Sequence, residues 1–245
     1  MFRLNLVVRS DSKFGGPGII TRRLHAYILK TIQQENPQLS QLIHDRKDRQ
    51  LFSTCLSQDG ITIHSPSKEV IQCLQQRFVF NDRIDLVDWS GTIQEIHSQF
   101  FSTDEVLKRF TNKFTFYFLT PATFYQYGHY YPLPEFNRLF SSAGKVLEMC
   151  ENLVVSPAEI EDFARKVRVE HASISTKRVD FGKFKVIGFT GTLTINLKAL
   201  PAHEQHLVWK LSVYGSMMGF GYKTAWGLGQ TRLEPFAPIL VSEHP

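Results

Sequence analysis

Residues Phe2 to Arg9 alternate loosely between apolar and polar positions and are rich in β-branched side chains, the pattern of a half-buried strand. A glycine-proline loop, GGPG (15–18), follows. Leu24, Ile28 and Ile32 then recur every four residues, which predicts a helix starting at Thr21 as cap and stopped near Asn36 by Pro37. QLFSTCLS and ITIHS flank Gln58-Asp59-Gly60, and an Asp-Gly pair between two β-like runs predicts a hairpin. SKEVIQCLQQRF (67–78) puts Val70, Leu74 and Phe78 on one stripe of a helix. RIDLVDW and TIQEIHSQF read as extended. The first half is thus β-α-β-β-α-β.

A polar stretch from Ser102 to Asn112, long enough for one or two helical turns, separates the halves. KFTFYFLT (113–120) reads as a strand, PEFNRLFSSAGKVLEMC (134–150) as a helix, and a basic extended region pairs with FKVIGFTGTLTINL (184–197). EQHLVWKLSVYGSMM (204–218) is helical and GQTRLEPF supplies a last strand. The order of the first half recurs without visible sequence alignment. Two β-α-β-β-α-β units in tandem describe an α+β chain of two ferredoxin-like (RRM-like) domains, 1–110 and 111–245. This fold does not set a function. The aromatic signature of the RNA-binding sheet module is missing from both halves; the nearest stretch, IGFTGTLT (187–194), lacks its basic start and second aromatic.

Composition agrees with a globular chain: 245 residues, 42% hydrophobic, with 20 Phe. The net charge of +5 favours an acidic partner, nucleic acid first. Cys55, Cys73 and Cys150 form neither a CxxC pair nor a disulfide framework, so a reducing compartment is expected. No segment reaches membrane-spanning length, and no membrane partner is expected.

The densest glycine cluster is GFGYKTAWGLG (219–229). The phosphate-loop pattern requires Gly before the Lys, and here Tyr222 precedes Lys223. The dinucleotide fingerprint requires a third Gly where Thr224 stands, with a strand before and a helix after, the reverse of the predicted order. What remains is a helix-loop-strand corner whose exposed amides form an anion nest, with Lys223 adding charge. Trp226 and Tyr222 are placed to pack beneath it or to stack on a base; a plain tight loop with Trp226 as core filler is the competing reading.

The spacing of Gly219, Gly221, Gly227 and Gly229 resembles the Gly-x-Gly, five residues, Gly-x-Gly loop that ends the CRISPR-associated precursor-RNA processing endoribonucleases, the Cas-six family of the RAMP superfamily. FLTPATFYQYGHYYPLP (118–134) is similar to the segment opening that family's second domain, and LHAYILKTIQQENPQLSQLIHD (24–45) to its first helix and loop histidine. GFTGTLTINL before the last helix also fits, so the resemblance spans most of the chain in order. It implies two facing ferredoxin-like domains in a prokaryotic cytoplasmic protein. It also implies metal-independent cleavage of CRISPR repeat RNA, without a cofactor, leaving a 5′-hydroxyl and a 2′,3′-cyclic phosphate. The crRNA then stays bound or passes to other subunits of an effector complex. Monomer and homodimer remain open.

Such a cut uses the RNA's own 2′-hydroxyl, so the protein must align it, move two protons and stabilise phosphate charge. His44, in QLIHDRKDR, matches the family's loop histidine and has Arg46, Lys47 and Arg49 nearby. His25, beside Arg22 and Arg23, lies on the first helix, where some family members place an active histidine. On the residues alone His44 reads more often as a plain loop residue, a reading the resemblance reverses, and His25 reads equally as a partly buried helix histidine. The tyrosine that relatives pair with the histidine falls at Leu29, with Tyr27 near; their lysine falls at Gln50, leaving Lys47, Arg49 or a second-domain residue for that role. The candidate RNA contacts are Gly219, Gly221, Lys223, Thr224, Gly227 and Gly229 of the loop, Arg22 and Arg23, and Lys177 and Arg178. The last two lie in STKRVDFGKFK, a basic hairpin or a solvated strand pair. EIED (159–162) and DRKD (45–48) read as solvated faces rather than metal sites, and His203 and His206 lack metal-like companions. The rival functions are a non-catalytic crRNA-binding RAMP subunit, which would keep the loop but need no histidine, and an unrelated nucleotide enzyme.

Overall fold

The computed structural model describes residues 1–11, 17–46, 49–58 and 60–236; Asp59 of the predicted hairpin turn, Lys47 and Gly15 and Gly16 of the GGPG loop lie outside them. The central strand β1 (Phe2–Ser10) buries Leu4, Leu6 and Val8 and pairs antiparallel with β3 (Gly60–Ser65) on one side and β5 (Trp89–Phe100) on the other. β2 (Ser53–Leu56) and β4 (Arg83–Leu86) close the edges, giving the order β2-β3-β1-β5-β4. Without β4 this is the ferredoxin order; the two extended runs after the second helix form a β4-β5 hairpin rather than one strand.

The first helix, α1 (Pro17–Glu35), starts one turn before the expected cap at Thr21. Proline is favoured in a first helical turn because its missing N–H has no partner to lose there, and Thr21 Oγ1 instead donates to the Gly18 carbonyl at 3.2 Å. Ile20, Leu24, Ile28 and Ile32 form the buried stripe. Pro37 ends α1 and also opens α2 (Pro37–Asp45), whose cap is Asn36, accepting from the Leu39 amide at 3.0 Å. His44 therefore sits on the last turn of a helix and not in a loop. After β3, Ser67 caps α3 (Lys68–Phe80), which buries Val70, Leu74 and Phe78 as expected.

The linker holds α4 (Thr103–Lys108), closed by a Ser102–Glu105 capping box. The second unit runs β6 (Lys113–Ala122), a small hairpin of β7 (Phe124–Gln126) and β8 (His129–Tyr131), α5 (Phe136–Glu151), α6 (Pro157–Lys166), β9 (Arg168–Asp180), β10 (Lys185–Asn196), α7 (Ala202–Met218), a single turn of tight helix at Thr224–Trp226 and β11 (Thr231–Glu234). Its sheet order, β11-β6-β10-β9, is again that of a ferredoxin-like domain. Helix α6 was not anticipated; it carries Arg165 and Lys166 on its surface, paired with Glu161 and Asp162.

Aromatic packing fills the second core, where Phe114, Phe116, Phe118, Phe140, Phe163, Phe189 and Trp209 are all buried. Helix α7 is buried through almost all of its second half, because it lies between its own sheet, α5 and the first unit: Ser53 Oγ donates to the Met217 carbonyl at 3.4 Å. A helix so enclosed needs no polar stripe. Its C-terminus is thereby delivered to the junction of the two sheets, where the glycine cluster begins.

Candidate functional site

Helix α7 ends at Gly219, φ 77°, and the chain folds back on itself. The Phe220 amide donates to the Gly229 carbonyl at 2.9 Å, Tyr222 to Thr123 at 2.7 Å and Gly229 to Pro121 at 3.0 Å. Gly221 donates to Ser142 Oγ at 2.8 Å, while the amides of Trp226, Gly227 and Leu228 bond back to Lys223 and Thr224. Most of the loop's N–H groups are thus spent inside the protein, which corrects the expectation of a nest of bare amides. The glycines serve close packing instead. At Gly229, φ 66°, a Cβ would stand 2.0 Å from the Phe220 carbonyl oxygen, a contact no side chain tolerates. Gly219, Gly227 and Gly229 shape the loop from behind; Gly221 through Trp226 face an open cleft.

The loop is seated on the first unit. Thr54 Oγ1 donates to the Ala225 carbonyl at 3.1 Å, and Trp226 packs against Phe181, Phe184 and His25 with ring centres 5.5–5.8 Å apart. The filler role foreseen for Trp226 is therefore real, and it extends across both units. Lys223 lies in the left-handed region, φ 55°, with Nζ 3.8 Å over the Trp226 ring, 4.9 Å from Tyr222 and 5.3 Å from Phe184. These ring faces hold the ammonium by cation–π attraction, while burial pulls its pKa below the usual lysine range. Thr224 is buried, its carbonyl taking Gln230 Nε2 at 3.2 Å.

His25 projects from α1 to the same place, its ring 5.5 Å from Phe52 and 5.6 Å from Trp226. Burial, then the charges of Lys223 and His44, push its pKa down to about 4 against the pull of a hydrogen bond to the Ala225 carbonyl. The ring is neutral at pH 7, and Nδ1 is buried with no partner among the described residues. The sequence reading set this histidine apart from the glycine loop; the fold brings the two into contact.

Arg49 is buried between the units. Its Nη1 donates to Ser142 O and Oγ at 3.1 and 2.8 Å, and Nη2 to the carbonyls of Met218 and Gly219 at 3.1 and 2.6 Å. Burial lowers its pKa to about 10, still charged at neutral pH. A guanidinium so committed has little left for a phosphate. Arg49, expected among the catalytic candidates, instead clamps the chain after α2 to α5 and to the start of the glycine loop, and Ser142 Oγ relays that clamp to the Gly221 amide.

These elements enclose a cleft of about 670 Å³ lined by His25, Arg46, Arg49 and Gln50 from the first unit, by Arg138, Ser142 and Lys145 of α5, by Tyr125 and Gln126 of β7, and by Gly221 to Trp226. Among the described residues, its cations face one lining carboxylate, Glu135, which Arg138 Nε engages at 2.5 Å. A strongly positive concave surface of this kind attracts a polyanion. Gln50, the position that the resemblance set against a lysine, has its Oε1 buried with no partner among the described residues. Tyr27 packs on Phe78, 6.5 Å between ring centres, and does not line the cleft.

The other candidates are scattered. His44 is exposed at the end of α2, two residues before Arg46. Arg23 is ion-paired with Asp88 across to the β4-β5 turn, which takes it out of the free cations. Arg22 lies beside Gly182 at the β9-β10 turn. Lys177 and Arg178 stand exposed on β9, at the edge of the second sheet, paired in register with Gly188 and Ile187. Arg138, Lys145 and the tyrosines of β7 and β8 were not anticipated; the aromatic-rich FYQYGHYY, with Tyr-Gly at its centre, was the available signal.

The family model described as "CRISPR-associated endoribonuclease Cas6" matches residues 116–231, from β6 through the glycine loop to β11. A curated Cas6 from Streptococcus thermophilus is 26% identical over 82% of both chains. Those of Mycobacterium tuberculosis are 30% identical over 52% of this chain. The chain is similar to the Cas6 family. The match spans 41% of the length of the Mycobacterium tuberculosis proteins. Among solved structures, a Cas6 product complex superposes with a TM-score of 0.78 at 20% identity, covering 95% of this chain and 99% of that one. Thermus thermophilus Cas6 superposes with a TM-score of 0.68 at 19% identity, over 95% and 96%. These likenesses establish the tandem ferredoxin-like fold. Among the described residues no helix is long and apolar enough to cross a membrane, and no three His, Cys, Asp or Glu side chains cluster as metal ligands would.

Proposed function

We propose that the chain is an endoribonuclease that cuts CRISPR repeat RNA within precursor transcripts to release crRNA. The observation that carries this reading is the cationic cleft in which His25 meets the glycine loop of a chain similar to the Cas6 family. One relative's structure is a product complex and another a substrate-mimic complex, which supports RNA as the ligand. In this reading residues 1–110 carry the histidines and 111–245 the loop that grips RNA.

The reaction needs no group beyond RNA and protein. The 2′-oxygen gives up its proton and bonds to phosphorus, the bond from phosphorus to the 5′-oxygen breaks, and that oxygen takes a proton. The products are a 2′,3′-cyclic phosphate and a 5′-hydroxyl. His44, exposed at the end of α2, is assigned proton transfer. His25, neutral at pH 7, has no proton to give the leaving oxygen beyond the one it shares with Ala225; accepting a hydrogen bond at Nδ1 and bracing the loop are the roles open to it. Lys223, with Thr224 beside it, and Arg46 stabilise charge on the phosphate oxygens. Arg49 and Ser142 hold the loop in place. Arg22, Lys177 and Arg178 contact RNA further out, and Lys47 stays a candidate for the third catalytic role.

The test is incubation with repeat RNA in EDTA and mass analysis of the ends. Cyclic-phosphate and 5′-hydroxyl termini are expected, and a loss of single-turnover rate of roughly 100-fold or more in His44→Ala with affinity kept. Tight binding with no cleavage of cognate repeat would make the chain a binding subunit. Cleavage only on adding a divalent cation would exclude the metal-free route.

A further inference from the structure

The hairpin of β7 and β8 has three residues in each strand, too short to be stable alone. Its two-residue turn, Tyr127 at φ 51° and Gly128 at φ 79°, has the left-handed pair that matches strand twist. What the hairpin presents is aromatic. The Tyr125 ring stacks on Tyr222 of the glycine loop at 5.3 Å and 26°, and lies 5.1 Å from Tyr130; Tyr130 and Tyr222 are 6.3 Å apart. The Tyr222 amide bond to the Thr123 carbonyl, 2.7 Å, fixes the loop beside the hairpin. The stack is therefore built from two separate chain segments and held in register by backbone. Yet Tyr125 remains 47% exposed and lines the cleft together with Tyr222, and Tyr127 at the tip is 89% exposed.

A preassembled, half-open aromatic stack wants a flat partner. Lys223 follows Tyr222 in the chain, while Arg138, held by Glu135 and Gln126, flanks the hairpin. Flat rings beside cations match a base attached to its phosphate, and stacking on tyrosine is tolerant of base identity. We propose that Tyr125, supported by Tyr222 and Tyr130, stacks on an unpaired nucleobase of the RNA held in the cleft. This rests on the RNA-cleaving role proposed above and adds a subsite to it.

The test uses the full chain and repeat RNAs carrying 2-aminopurine at one unpaired position at a time around the cut. Binding to the unaltered protein should quench at least one position. In Tyr125→Leu, which keeps apolar bulk without a π-face, that quench should vanish and Kd rise roughly tenfold. Tyr125→Phe should restore both. The proposal falls if the quench is unchanged in Tyr125→Leu, or if Tyr125→Phe loses as much as the leucine variant. Equal weakening of a fully paired stem would also overturn it, because the tyrosines would then grip a helix rather than a base. If the unaltered protein neither binds nor cuts repeat RNA, the parent reading falls and this one with it; intact cleavage with an unaltered quench refutes this one alone.

Discussion

Replacing Arg49 by Met keeps the aliphatic stem and removes the guanidinium. Four hydrogen bonds disappear, and the carbonyls of Met218 and Gly219 lose their buried donor. A hydrogen bond from a charged group is worth about 1.5–3 kcal/mol. Burying that charge costs several kcal/mol in return, and the lowered pKa of Arg49 reflects it. Breaking a buried polar set by removing one partner typically destabilises by about 3–5 kcal/mol. Met leaves no charge behind, so the lower end, about 3 kcal/mol, is expected. For a chain of this size each kcal/mol lowers Tm by roughly 2–4 °C, giving a fall of roughly 6–12 °C by calorimetry. Arg49→Lys should rescue little, since one ammonium on a flexible stem cannot span Ser142 on α5 and two carbonyls at the end of α7. RNA affinity should drop in both variants, because Ser142 Oγ also fixes the Gly221 amide. Melting of both within 1 °C of the parent protein, with unchanged RNA affinity, would refute the clamp.

Gly229→Ala should destabilise far more than Gly128→Ala, read by chemical denaturation: both need positive φ, but a Cβ at Gly229 strikes the Phe220 carbonyl oxygen while at Gly128 it meets open space, leaving only backbone strain of about 1–2 kcal/mol. Stability should fall as pH drops from 6.5 towards 4, because the unfolded chain protonates His25 in that window and the folded one, with Lys223 and His44 nearby, does not. That single group is worth about 3 kcal/mol when pH reaches 4. His64, buried near Arg3 and the N-terminus and pushed to about 3, adds its own loss over the same range and carries it lower still; the slope of Tm against pH should lessen in His25→Phe between pH 6.5 and 4, and in His64→Leu from pH 6.5 down to about 3. Lys177→Gln and Arg178→Gln should each lower the salt dependence of RNA binding by about one phosphate contact, measured as the slope of log Kd against log salt. An unchanged slope would make them solvated strand residues.

Much of the architecture was legible in hydrophobic period. The strand at Phe2–Ser10, the stripe Leu24-Ile28-Ile32 and the long pair β9-β10 follow from local pattern. The misplaced pieces were matters of boundary chemistry. Pro37 reads as a stop but also begins α2, and Ser156-Pro157-x-Glu159, a capping box with proline at the first position, was passed over as charged surface. The site was legible by residue type and not by partner. Gly219, Gly221, Gly227 and Gly229 stood out by spacing, yet only packing against Thr123, Phe220 and Thr21 reveals that they shape the loop rather than bare its amides. Arg49 and Arg23 read as free cations because no local pattern announces a clamp to residues beyond position 140 or an ion pair to Asp88. His25 and Lys223 lie almost 200 positions apart in sequence and meet only through the fold.

The central claim is that this chain cuts RNA by using the RNA's own 2′-hydroxyl in the cleft between its two units. Its most direct test is a repeat RNA with a single 2′-deoxy sugar immediately 5′ of the cut. Binding should persist and cleavage at that bond should cease, while the all-ribose RNA is cut at the same position. Cleavage that continues at the deoxy position would contradict the account.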